Sequence, residues 1–371
     1  MTPVGILVLL IALPVAAAGD LQIPSSAEVC GDCHREIQEG WKKSAHAQAM
    51  ESRLFQDALK LAESEIGAQS RRVCLSCHSP LAVETSDLAL VRKVSWEGVT
   101  CDYCHSIREV SLSEANPRAR VELSLVKSGP SKDSFSPVHA TVYSAVHTSS
   151  LACVSCHEYR NANGFPVLTT YSEWKNSSYA DGAKNAKDCQ TCHMYGVRGD
   201  VVDPRVQRSS QPTINLHEIP GSRSVDQLNK AVAAQISTTR FPNRLHVTVK
   251  LTNRGAGHHV PTGSPLRQLI LELRVQVPGG KEFREERFYR RTVTDKNGAV
   301  LEREHLAFTR AAKELRDTRL AANESRNEIF SFPIPVGTQA SVQGTLYYYY
   351  SPTAATEFQK KKFWTLTVWA R

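Results

Sequence analysis

The stretch CVSCH, Cys153–His157, decides how this chain is read, because its spacing returns four more times. The other copies are CGDCH (Cys30, Cys33, His34), CLSCH (Cys74, Cys77, His78), CDYCH (Cys101, Cys104, His105) and CQTCH (Cys189, Cys192, His193). All 10 cysteines of the 371-residue chain are consumed in this way. Zinc sites, thioredoxin-like redox pairs and a disulfide framework are the rival readings, and each predicts something the sequence lacks. Zinc sites pair two C-x-x-C units, which would leave one of five unmatched and would not explain a His after every second Cys. A disulfide framework predicts irregular spacing. C-x-x-C-H is instead the attachment site of a c-type haem: two thiols add to the vinyl groups and the adjacent His binds the iron. The sequence thus predicts five covalently bound haem c groups, with proximal ligands His34, His78, His105, His157 and His193.

The N-terminus agrees. MTPVGILVLLIALPVAAAGD runs apolar from Val4 to Ala18 and ends in small residues, the pattern of a secretory signal over residues 1–18. The run is short for a membrane span, and the mature chain contains no other of spanning length. Covalent haem attachment takes place outside the cytoplasm. An exported bacterial or archaeal protein, periplasmic or extracellular, is therefore expected, and nucleic acid is an implausible partner.

Five low-spin irons also need distal ligands, usually a second His or a Met. Of 13 histidines, eight remain: His46, His139, His147, His217, His246, His258, His259 and His305. After the leader only Met50 and Met194 remain of the methionines. His46 lies on a helical stretch beyond the first motif, His139 and His147 precede the fourth motif, and His217 follows the fifth. His246, in the alternating RLHVTVKL, reads as a half-exposed strand residue, and His305, in EREHLAF, as a solvated surface residue. His258 and His259 share the loop LTNRGAGHHVPTGSP, Leu251–Pro265. Its glycines would let the backbone approach a macrocycle, so one of the two is expected to cap an iron of the preceding domain.

Two parts are expected, an α + β multidomain arrangement. Residues 19–238 form a haem-cored domain of short helices, including LFQDALKLAESEIGAQSRR and VDQLNKAVAAQI, joined by loops. Residues 239–371 alternate like an antiparallel β-sandwich of about seven strands, with ordinary strand packing in LYYYY. Residues 240–371 hold 22 Lys and Arg against 12 Asp and Glu, a net +10, whereas the remainder holds 23 against 25, a net −2. The basic module suits an acidic surface, its own haem domain or a neighbouring subunit.

The blocks CGDCHREIQEGWKKSAHAQA, EGVTCDYCHSI, HATVYSAVHTSSLACVSCHE, SEWKNSSYADGAKNAKDCQTCHM, LHEIPG and NRGAGHHVPTGSPLRQLILEL resemble the multihaem cytochromes c related to the tetrahaem cytochrome of nitrifying bacteria. That family includes subunits of extracellular cytochrome filaments. The resemblance implies His46, His217 and His258 as distal ligands, with His139 and His147 as the remaining two, and favours His258 over His259. In the nitrifier type one iron lacks a distal protein ligand, so assignments do not copy directly.

Two function classes follow. In the first, closely spaced bis-His haems relay electrons and no bond is made or broken, so no residue is catalytic; the partners are other redox proteins, and the chain is a filament-forming homopolymer subunit or a soluble periplasmic shuttle. In the second, one open iron reduces a small nitrogen or sulfur oxyanion. Five candidate distal histidines and the absence of a visible catalytic cluster favour the relay, and the resemblance favours the filament.

Overall fold

The computed structural model describes residues 24–132, 134–182, 186–206, 213–352 and 360–370. The expected signal segment lies outside the described residues. Among the described residues no helix is long and apolar enough to cross a membrane.

Up to residue 231 the chain is a succession of short helices and two-stranded ribbons. The second to fifth motifs fall on the helices Gln69–His78, Cys101–Cys104, Leu151–His157 and Cys189–His193, and the first begins on Ala27–Gly31. The longest helix here, Arg53–Glu65, buries Phe55, Leu59 and Ala62, a spacing that puts all three on one face. It stops because Gly67 takes φ +114° and donates its N–H to the Ala62 and Glu63 carbonyls. LFQDALKLAESEIGAQSRR, read from sequence as one helical piece, is thereby cut in two. Apolar packing is thin in this part: one buried cluster holds Met50, Phe55, Leu59, Leu75 and Ala82, another Leu81, Val94, Tyr103, Ile107 and Val146.

From Val232 the chain forms two antiparallel sheets. One has three strands in the order Ser325–Phe332, Arg244–Asn253, Val232–Phe241; the other has five, in the order Lys313–Asp317, Glu282–Thr294, Gln268–Gln276, Ala340–Tyr349, Lys360–Ala370. Eight described strands thus stand where about seven were expected. Leu245, Val247, Val249 and Leu251 alternate inward from the first sheet, fully buried against Leu269, Leu271, Leu273, Val275, Val342 and Leu346 of the second. The period of two is the sequence signal made physical.

Two expectations need correction. The helix in VDQLNKAVAAQI covers only Val225–Ala231; from Val232 the chain is already strand, paired residue for residue with Arg244–Asn253. The sheet therefore begins before residue 239, because Val232 and Ile236 gain more by packing on the sandwich core than by continuing a short helix. His305, read as solvated, is 4% exposed, with Nε2 3.0 Å from one Glu65 carboxylate oxygen, while Arg303 binds the other at 2.6 Å. Charged neighbours in sequence hid a contact that docks the helix Glu304–Arg310 on the end of Arg53–Glu65. Between the two parts, Phe165 and Val167 pack with Leu266, Val293, Leu301, Ala307 and Ala311.

Candidate haem-binding sites

An imidazole can hold iron through Nε2 only if that nitrogen is unprotonated and free, which is best arranged by tying Nδ1–H to an acceptor. The chain does this repeatedly. Nδ1 of His34 lies 2.6 Å from the Val201 carbonyl, that of His105 2.7 Å from Ser128 and that of His193 2.7 Å from Pro220. The same holds for His217 on Asn215 (2.6 Å), His258 on His259 (2.9 Å) and, more loosely, His139 on Ala140 (3.2 Å). Burial holds other imidazoles neutral: it pushes His46 and His78 down to about 4 and His157 to about 3. Neutral imidazole is the form that a metal binds.

The rings also meet in pairs. His34 faces His139 with centroids 6.2 Å apart, His46 faces His157 at 6.3 Å, and His193 faces His258 at 6.4 Å. Stacked rings would sit closer. An iron–imidazole bond is about 2 Å, as for other transition metals, and a ring nitrogen is roughly 1 Å from its centroid, so two axial imidazoles on one iron place their centroids roughly 6 Å apart. The residues therefore fit a six-coordinate haem at three attachment motifs, and each pair joins a proximal His to one supplied from far along the chain.

Comparisons with known proteins agree. Residues 29–106 match the family model described as cytochrome c554 and c-prime. No curated protein matches. Among solved structures, a penta-heme cytochrome c552 from Thermochromatium tepidum aligns over 94% of this chain and 99% of that one, at 20% identity and a TM-score of 0.73. The fold is that of a multihaem cytochrome c. A beta-glucosidase 3B from Thermotoga neapolitana aligns with 38% of this chain and 16% of that one, at 13% identity and a TM-score of 0.16, too dissimilar to bear on the fold.

Within this cytochrome fold the remaining expected ligands are not equivalent. His105 and His147 lie 5.5 Å apart and nearly parallel, yet His147 commits Nε2 to the Cys104 carbonyl at 3.0 Å and keeps a buried Nδ1 without a partner. His217 has the opposite arrangement, with Nδ1 anchored and Nε2 without a partner among the described residues, and it lies close enough to feel the charge of both His105 and His34. His105 thus has two candidate partners. His78 is the exception: its ring stacks on Phe55 at 3.8 Å, and its buried Nδ1 has no partner.

The thiols show which motifs abut. Cys30 lies beside Cys101, Cys77 beside Cys156 and Cys153 beside Cys189, each pair close enough for one thiol to perturb the ionisation of the other. Cys104 lies near enough to both Cys153 and Cys156 to raise their pKa values. Since each thiol marks the edge of its own attachment site, the first motif neighbours the third, the third the fourth, and the fourth both the second and the fifth. Sequence order does not give this order.

The Gly-rich loop separates its two histidines. His258 turns toward His193, whereas His259 turns to Glu173, with Nδ1 3.3 Å from Oε1 but not aligned for a regular hydrogen bond. Gly257 allows the approach: a Cβ there would stand 3.0 Å from the Tyr179 side chain. Glu173 carries a further ion pair with Arg319 at 2.7 Å, both side chains buried. Burial alone would raise its carboxyl, but the His259 contact and the Arg319 charge hold it well below the usual carboxylate range; we take Arg319 as the main cause, since its geometry is the better. Neither residue was singled out in the sequence, because their partners lie far away along the chain.

Proposed function

We propose that this protein is an exported pentahaem c-type cytochrome that relays electrons to and from other redox proteins. The observation that carries this reading is the set of imidazole pairs at 6.2–6.4 Å, each joining a C-x-x-C-H histidine to a distant one. Haem, when bound, supplies one-electron Fe(III)/Fe(II) chemistry. The chain's own histidines would hold the iron, with imidazole tautomers fixed through backbone carbonyls, and the fold keeps the motifs in contact. On this reading the distal ligands are His46, His139, His147, His217 and His258, with His217 the better donor toward the His105 iron because its Nε2 has no partner among the described residues.

We extend the reading to a polymeric extracellular conductor rather than a soluble periplasmic shuttle. Support comes from the sequence blocks that resemble filament subunits and from the edge strand Lys360–Ala370, whose Trp369 is 59% exposed. The basic β-module would meet an acidic surface on the next subunit or on a redox partner.

One observation favours a second reading. His78 stacks on Phe55 rather than facing a second imidazole, which suits an open iron able to reduce a small nitrogen or sulfur oxyanion.

The test is to purify the protein from cells that mature c-type haem, count haems by pyridine haemochrome against protein, and image it by cryo-electron microscopy. Five haems and filaments support the conductor. Discrete particles with five low-spin haems support the shuttle. A high-spin signal that shifts on adding nitrite supports the reductase.

A further inference from the structure

The loop that delivers His258 is held from outside by a residue of the haem part, and this inference rests on the ligand role proposed above for His258. Glu173 lies on the helix Thr170–Lys175, between the fourth and fifth motifs. Its Oε2 accepts the backbone N–H of His259 at 3.1 Å and the Thr262 hydroxyl at 2.7 Å, while Oε1 accepts from Thr169 at 2.7 Å and from Arg319 at 2.7 Å. Arg319 is itself gripped by Asp317 through two nitrogens, at 3.0 and 2.7 Å. On the far side Asn253, fully buried, donates to the His258 carbonyl at 2.9 Å, and Val260 exchanges both backbone hydrogen bonds with Leu320. The carbonyl of His259, the residue whose amide Glu173 holds, accepts from His258 Nδ1.

We propose that Glu173 is a positioning residue for the haem ligand His258, acting through the His259 backbone. The carboxylate fixes residue 259 through its amide, and the carbonyl of that residue, one peptide unit on, then sets the tautomer and rotation of the His258 ring. Outer partners of this kind orient metal-bound imidazoles and tune the metal they hold. His259 accordingly serves the iron with its main chain, and its ring packs against the same carboxylate. A buried carboxylate suits the task because it accepts several donors at once and is fixed by a buried guanidinium, so the loop has one low-energy position.

The test is Glu173→Gln in the haem-loaded protein. The amide oxygen will stay with Arg319, so the NH2 faces the His259 N–H, which loses its acceptor. The expected result is an unchanged haem count with one low-spin electron paramagnetic resonance signal in five shifted or converted to high spin, and restored by added imidazole. A spectrum superimposable on that of the parent overturns the proposal, as does a uniform change in all signals, which a merely structural role would give. If Glu173→Gln fails to load haem, Thr262→Val and Thr262→Ser decide. The Val variant should move the same signal and the Ser variant should not; identical spectra overturn the proposal. A parent protein without bis-His signals would instead refute the ligand role of His258.

Discussion

Replacing His46 by Gly isolates one axial position. The His46 and His157 centroids are 6.3 Å apart; subtracting roughly 1 Å from each centroid to its nitrogen leaves about 4 Å, the length of two iron–imidazole bonds of about 2 Å. The local backbone should survive, because the His46 carbonyl accepts from the Val99 and Ala49 amides, and neither contact involves the ring. The prediction is therefore specific: one iron in five loses a ligand and becomes high spin, while the other signals and the haem count stay unchanged. Electron paramagnetic resonance of the oxidised protein reads this directly, and exogenous imidazole should enter the vacated space and restore the low-spin signal. An unchanged low-spin spectrum, or the loss of two signals at once, would refute the one-to-one pairing read from the ring geometry.

Gly98, at φ +72°, lies so close to the His46 carbonyl oxygen that a Cβ would collide with it; Gly98→Ala should cost about 1–3 kcal/mol and shift the same haem signal as His46→Gly, as urea titration and spectroscopy would show. Leu271→Ala opens a cavity in the sandwich core at a cost of about 2–5 kcal/mol, and should lower the denaturant midpoint without changing the visible spectrum. Burial raises the Glu304 carboxyl, with Ser264, Ser351 and Arg267 opposing. A folded value above the unfolded value of about 4.3 means that its contribution to stability is full in acid and is lost as pH rises through the folded value. Glu304→Gln should therefore gain thermal stability relative to the parent between acid and neutral pH, and a midpoint difference that shrinks with pH would contradict that sign.

The attachment chemistry was legible because it is local: two thiols and an imidazole on one helical turn need no tertiary partner to be recognised. The sandwich was legible for a related reason, since Leu245 to Leu251 and Leu269 to Val275 alternate with the period of the pleat. What the sequence could not reveal is contact at a distance. His305 looked solvated because its neighbours in sequence are charged, yet Glu65 makes its burial tolerable. Glu173 was not singled out, because its partners Arg319 and Thr262 belong to loops of another part. The pairing of His46 with His157 rather than with the nearer His34 is likewise a property of the folded chain, as is the order in which the motifs abut.

That order makes the five motifs a small graph. The fourth motif is its hub: its cysteines lie beside those of the second and fifth motifs and beside Cys104 of the third. Removing the second or the fifth motif would leave the rest connected, whereas removing the fourth would break the molecule into three islands. A lineage with this architecture could shed or gain terminal branches and keep its motifs contiguous, but it could not dispense with Cys153 and Cys156.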